Sequence, residues 1–258
     1  MPKLPDAVLG LIPKEILAWF DLKKLTPGFD YRDVWKAEHS NAFTVAKMLN
    51  ADLLTDVQSL VHDAIEQGQT FKQFRDALEP LLVKSGWWGI QEMVDPLTDE
   101  TKPVQLGSTR RIKTIYKTNM RAARAAGQWE RAQRSKRALP YLLYELGPSE
   151  HHRHEHQSWA GTCLPIDDPF WKTHFVPNGW GCKCTVRQVS QREYEQLQSS
   201  GKIKTTAPDD DTKEWRNKRT GEVEVIPKGI DPGWNYNPGI SREQELKAAL
   251  AAKEKTLL

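Results

Sequence analysis

The chain has 258 residues, 38% of them hydrophobic and 28% charged, with a formal net charge of +3. This is ordinary globular usage, in enough chain for one large domain or two modest ones with buried cores. No apolar run approaches the roughly 18 to 20 residues of a membrane span, and Met1 to Phe20 lacks the apolar core and small-residue cleavage site of a secretory signal, so neither is expected.

The first hundred residues read as helical. Pro13 to Leu25 has the apolar spacing of a short amphipathic helix that Thr26-Pro27-Gly28 ends. A second helix runs from about Asp52 to Gly68. A third opens at Thr70, with Gln73 completing a capping box, and Phe71, Phe74, Leu78 and Leu81 form its core-facing stripe. Pro80 is expected to kink or end it. The polar segment holding Pro96 and Pro103 reads as an internal boundary.

A long helix is expected from Ser108 to about Ala138, stopped by Pro140. Strands follow at Tyr141 to Leu146 and Thr185 to Val189, separated by a loop region rich in His, Trp and Cys. Ser190 and Glu193 cap another helix, and Glu214 to Ile226 reads as a hairpin turning at Arg219-Thr220-Gly221. Ser241 with Gln244 fits a capping box for a terminal helix reaching Leu258. The expected fold class is therefore α+β, mainly helical. Its parts are an N-terminal helical region (1–100), a central domain of long helix, small sheet and loop (101–192), and a C-terminal extension with hairpin and helix (193–258).

Between Ser108 and Arg137 there are ten Lys or Arg residues and one acid, Glu130. Arg110, Lys113, Lys117, Arg121 and Arg124 follow one another at steps of three or four, with Arg131 seven further on. At about 100° per residue they share one narrow helix face. Like charges at this spacing weaken an isolated helix by a few tenths of a kcal/mol per pair, so a compensating partner is expected. Local carboxylates, a nucleic-acid backbone and an acidic protein surface are the three options.

The loop region gathers His151, His152, His154 and His156, then His174, Cys182 and Cys184. Known metal motifs fail on it. His154-Glu155 starts like a zinc-protease helix, but Ser158 stands where the second imidazole must fall. The Pro-Cys-x-x-Cys of zinc deaminases is absent as well. Three cysteines do not form a disulfide framework, so free or metal-bound thiols are expected. Two readings stay open: Cys182 and Cys184 pack as small buried groups with no cofactor, or a structural zinc draws on His156, His174, Cys182 and Cys184. A His-Asn-His nuclease, with His151 or His152 as base and Asn178 orienting it, is the enzymatic alternative, although a well-placed final histidine is missing.

Taken together, several segments resemble the Mu F-like family of phage minor head proteins. They include Pro27-Gly28-Phe29-Asp30-Tyr31, Ala42-Phe43-Thr44-Val45-Ala46-Lys47-Met48, Gly86-Trp87-Trp88-Gly89, and Ile115-Tyr116-Lys117-Thr118-Asn119 with Ala125-Ala126-Gly127-Gln128-Trp129. The loop adds Arg153, Glu155, His156, Gly161, Pro165, Asp167, Asp168, Trp171 and Pro177-Asn178-Gly179-Trp180-Gly181-Cys182-Lys183-Cys184. Asp231-Pro232-Gly233 and Tyr236-Asn237-Pro238-Gly239 extend the likeness. Two positions depart from it: His154 where proline is usual, and Cys163 where an aliphatic residue is usual.

The resemblance implies a non-enzymatic minor capsid protein, incorporated at low copy during prohead assembly in the host cytoplasm and residing in the virion head. Its implied partners are portal, major capsid or scaffold proteins and, through the basic helix, packaged DNA, with no membrane. A metal-dependent nuclease acting during packaging is the rival. Within the loop motif, Arg153 is expected to pair with Asp167 or Asp168 and so hold the irregular backbone.

Overall fold

The computed structural model describes residues 14–33, 42–209, 211–241, 244 and 247. The fold is α+β, with helices dominant and four small sheets among the described residues. The chain divides into two compact units, 1–124 and 125–258. No helix among the described residues is long and apolar enough to cross a membrane.

In the first unit, α1 (Lys14–Asp21) buries Ile16, Trp19 and Phe20, the three- and four-residue spacing of one helix face. The helix ends earlier than the apolar pattern implied. Lys24–Leu25 (β1) instead pairs in parallel with Ala42–Phe43 (β2), because the residue before Pro27 favours extended backbone and pulls the chain out of the helix. Asn50 caps α2 (Ala51–Glu66), its side chain accepting from the Leu53 N–H at 2.9 Å. Leu53, Leu54, Val57, Val61, Ala64 and Ile65 form its buried face.

Thr70 and Gln73 make the expected reciprocal capping box on α3 (Phe71–Lys84). The buried stripe is Phe74, Leu78 and Leu82 rather than Leu81, a consistent four-residue step. Pro80 neither ends nor replaces this helix: it lies on the exposed side, where the carbonyl it leaves unbonded can be solvated. The segment read as an internal boundary forms a hairpin, β3 (Ile90–Val94) with β4 (Thr101–Gln105), and Pro103 pairs opposite Glu92.

A single helix, α4 (Thr109–Ser135), crosses from the first unit to the second in sequence. In the second unit, β5 (Tyr141–Glu145) is the centre of a three-stranded sheet between β6 (Cys163–Pro165) and β7 (Thr185–Val189), with both pairings antiparallel. Alternation sorts its residues by face. Leu142, Tyr144, Leu164 and Val186 pack with Ala125, Trp129 and Ala132 of α4, whose small alanines let the helix close onto the strands. Leu143, Cys163 and Val189 lie on the other face, packed with Tyr141, Leu197, Ile203 and Tyr194, whose ring stacks on Tyr141 at 4.0 Å.

Between the strands lie two short helices, α5 (His154–Trp159) and α6 (Trp171–His174). His154 occupies the first position of α5. That position tolerates proline because its N–H needs no helical partner, and the helix forms equally with histidine there. Ser190 caps α7 (Gln191–Ser199), accepting from the Glu193 N–H at 3.2 Å as expected. The predicted hairpin is β8 (Thr212–Arg216) with β9 (Val223–Pro227).

The terminal helix starts before Ser241. Residues 238–241 are already helical, and Asn237 is the cap: its Oδ1 accepts from the Gly239 N–H at 2.9 Å. Ser241 is inside the helix, so it cannot supply the predicted cap, and the remainder of the predicted helix to Leu258, apart from 244 and 247, lies outside the described residues.

Candidate functional site

The loop region of the second unit is held by two knots of polar contact. The first centres on Asp231. Its Oδ2 accepts from Arg153 Nη2 at 2.8 Å and from the Trp180 backbone N–H at 2.8 Å, while Arg153 Nη1 donates to the Gly229 carbonyl at 3.1 Å. Arg153 thus pairs with neither Asp167 nor Asp168. Asp167 lies against Lys136, and Asp168 accepts from the Phe170 N–H at 2.9 Å, ahead of α6. Gly179 is required here, because a Cβ would come within 2.3 Å of Asp231 Oδ2 and 2.5 Å of Arg153 Nη1.

A double-mutant cycle of Arg153→Ala and Asp231→Ala, followed by urea denaturation, should give a coupling of about 1 to 2 kcal/mol, modest because both side chains are partly exposed. Additive single-mutant costs would show that the pair does not hold the loop.

The second knot is buried. His156 on α5, Cys182 and Cys184 bring one nitrogen and two sulfurs within 4.8 Å of one another. His156 Nδ1 lies 3.4 Å from Cys184 Sγ and 4.0 Å from Cys182 Sγ. Its Nε2 lies 3.0 Å from the Gly229 carbonyl, an acceptor, so that nitrogen carries the proton and Nδ1 presents a lone pair to the sulfurs. The turn Gly179 to Cys182, closed by the Cys182 N–H to the Gly179 carbonyl at 3.1 Å, brings the two cysteines to the same imidazole. Trp159 stacks on His156 at 4.7 Å, and Tyr144 donates its hydroxyl to Asn178 Oδ1 at 2.9 Å.

The two thiols titrate as a pair. The hydrogen bond from Cys182 lowers Cys184 to about 6, outweighing its burial. Cys182, the donor in that bond, is pushed up to about 12, with burial adding to the rise. Burial, then the neighbouring cysteines, raises the Tyr144 hydroxyl well above the usual phenol range. Of the two thiols, Cys184 is therefore the one that ionises first.

The predicted ligand set needs one correction. His174 is buried but lies outside this cluster, its Nδ1 3.3 Å from the carbonyl of Phe170, the residue that caps α6, and its ring stacked on Phe170 at 4.2 Å. Trp159 contacts both imidazoles, at 4.7 Å each. Cys163, on the opposite sheet face, is pushed up to about 11 by burial. All three cysteines are free.

The other residues singled out from the sequence serve the loop backbone. Gly161 adopts φ +82°, and its N–H donates to the Tyr144 carbonyl at 3.0 Å. Trp171 is fully buried and its indole N–H donates to the Pro165 carbonyl at 3.0 Å. Asn178 is buried, with its carbonyl oxygen used by Tyr144, so it does not orient His151, which is exposed, or His152, whose Nε2 bonds the Gly147 carbonyl at 2.8 Å. The geometry the nuclease alternative needs is not assembled by these residues.

Asp231, Gly229, Tyr144 and Gly147 were not singled out as site residues. The turn Asp231-Pro232-Gly233 was the available signal for the first of these.

On α4, Arg110, Lys113 and Arg124 are exposed, and Arg121 is half-buried. None of the four has a carboxylate within ion-pair distance among the described residues. Lys113 lies 5.9 Å from the Phe71 ring, and Arg131 has a buried Nη1 without a hydrogen-bond partner among the described residues. Arg111, off this face, is tied down instead: it donates to the Gln105 and Ala46 carbonyls and lies over Trp87, and burial lowers it to about 10.

A family model described as Phage Mu protein F like protein matches residues 55–187. Protein F of Escherichia phage Mu, whose name assigns it to capsid assembly, is 35% identical over 243 residues, covering 89% of this chain and 54% of its own. The FluMu F protein of a Mu-like prophage in Haemophilus influenzae is 32% identical over 219 residues, covering 79% of this chain and 51% of its own. The chain therefore spans about half the length of the curated relatives it matches. No solved structure matches it.

Proposed function

This chain belongs to the phage Mu protein F like family, and from that premise we propose that it is a minor capsid protein of head morphogenesis in a Mu-like phage or prophage. The observation that carries this reading is the family match over more than half of the chain, joined to a relative named for capsid assembly. The role is one of assembly rather than catalysis. The chain enters the prohead at low copy and resides in the virion head, where it contacts portal, inner capsid or packaged DNA.

The charge pattern of α4 supports a contact of this kind. Arg110, Lys113, Arg121 and Arg124 lack carboxylate partners among the described residues, so their repulsion is best relieved by an acidic surface from outside the chain.

Quantitative mass spectrometry of purified proheads and mature particles tests the proposal. Low-copy incorporation in both is expected, and absence from both despite expression would overturn it. For the DNA contact, duplex binding should weaken steeply with salt, with a log–log slope of about −4 if four phosphates are neutralised. Charge reversal at Lys113 and Arg124 should flatten it. Salt-independent binding would assign the basic face to another partner.

A further inference from the structure

We propose that His156, Cys182 and Cys184 form a zinc-binding site, with Nδ1 and the two Sγ atoms as ligands. Tetrahedral zinc with Zn–S near 2.3 Å and Zn–N near 2.0 to 2.1 Å sets ligand–ligand edges of about 3.5 Å for N to S and about 3.8 Å for S to S. The observed N to S separations of 3.4 and 4.0 Å therefore need adjustments of a few tenths of an ångström or less on one edge and about half an ångström on the other. Most of the work of arranging a site is done by the fold.

The surroundings have the form such a site requires. A ligating imidazole is held by a hydrogen bond from its other nitrogen, and here His156 Nε2 is fixed on the Gly229 carbonyl, leaving Nδ1 as the free donor atom. Soft thiolates with one imidazole favour zinc over magnesium or calcium. Two thiolates neutralise the dication, so a buried site gains no net charge, which is the condition for tolerating an ion there.

Asn178 adds a second, independent observation. Its Nδ2 is buried with no hydrogen-bond partner among the described residues, while its Oδ1 is already used by Tyr144 beside the cysteines. An orphan N–H of this kind matches a thiolate or a zinc-bound water as acceptor. With three protein ligands, the fourth position falls to water or another exogenous ligand. Loading joins Zn²⁺ to both sulfurs as thiolates and to His156 Nδ1, and each proton still on a sulfur is released to solvent.

The full chain, purified without chelator, should contain about one zinc per molecule by elemental analysis. Replacement by Co²⁺ should produce near-ultraviolet thiolate charge-transfer absorption that stoichiometric Zn²⁺ abolishes. Cys182→Ser, Cys184→Ser and His156→Gln should each lower affinity at least about 100-fold, whereas Cys163→Ser, altered on the opposite sheet face, should retain it. Zinc well below one per chain in folded, zinc-replete protein, with no thiolate band on Co²⁺ titration, would overturn the assignment. Equal loss in Cys163→Ser and Cys182→Ser would also overturn it. Should the ligand variants fail to fold, Co²⁺ titration of the unmodified chain alone decides the matter.

Discussion

Gly147→Ala should destabilise the second unit by about 3 kcal/mol or more, because the added methyl has nowhere to go. A Cβ built on Gly147 would lie 1.6 Å from the Lys183 carbonyl oxygen and 2.4 Å from its carbon. Both are backbone atoms, so no rotamer change relieves the clash and the two chain segments must part. Lys183 stands between Cys182 and Cys184, and His152 bonds to the Gly147 carbonyl, so separation there disturbs both sides of the buried cluster. Thermal unfolding followed by circular dichroism should show a fall of roughly 10 °C. A melting temperature within about 2 °C of the parent would show that the two backbones do not meet as described.

Trp159→Ala is expected to cost about 3 to 5 kcal/mol, the range for removing a large aromatic from a closed core. The Trp159 side chain is fully buried, with His156 stacked at 4.7 Å, Tyr144 edge-on at 5.9 Å and His174 edge-on at 4.7 Å. Truncation would open a void between the imidazole and the sheet that its neighbours cannot all move to fill. Urea denaturation should show a lower midpoint with an unchanged slope, the signature of lost stability without lost cooperativity. Trp180→Ala is the control. Trp180 is 39% exposed, and its truncation should cost under about 1 kcal/mol; similar costs for the two would contradict the burial described.

What could be read from the sequence was mostly what is decided within a few residues. The box Thr70 to Gln73 and the Ser190 cap on the Glu193 N–H formed because cap geometry is local. Thr185 to Val189 was read with its full bounds, since its β-rich composition coincides with an unbroken five-residue pairing to β5. Arg153 shows the limit. Its partner Asp231 is 78 residues away, and acidic Asp167 and Asp168 were nearer in sequence, yet proximity along the chain says little about where irregular loops return.

His174 failed as a ligand for a related reason. Its position near the cysteines in sequence did not reveal that a one-turn helix would aim its Nδ1 at the Phe170 carbonyl. The terminal helix was misplaced although the signal was present: Asn237-Pro238 is a cap followed by proline at the first helical position. The Ser241 and Gln244 pattern was the weaker of two competing start signals.

The segment after β7 has a consequence for how this protein can be cut. Ile230 and Trp234 belong to the same core cluster as Tyr144 and Trp159, Asn237 Nδ2 donates to the Trp171 carbonyl at 3.0 Å, and Gly239 lies so close to Trp129 that a Cβ would fall 2.3 Å from its ring. The matched family region ends at residue 187, about fifty residues before this closing segment is complete. A fragment trimmed to that region would expose the aromatic interior and lose the carboxylate that gathers Arg153 and Trp180. The matched region is therefore smaller than the foldable unit. During synthesis the motif must wait, largely unsealed, until the residues near 240 have left the ribosome.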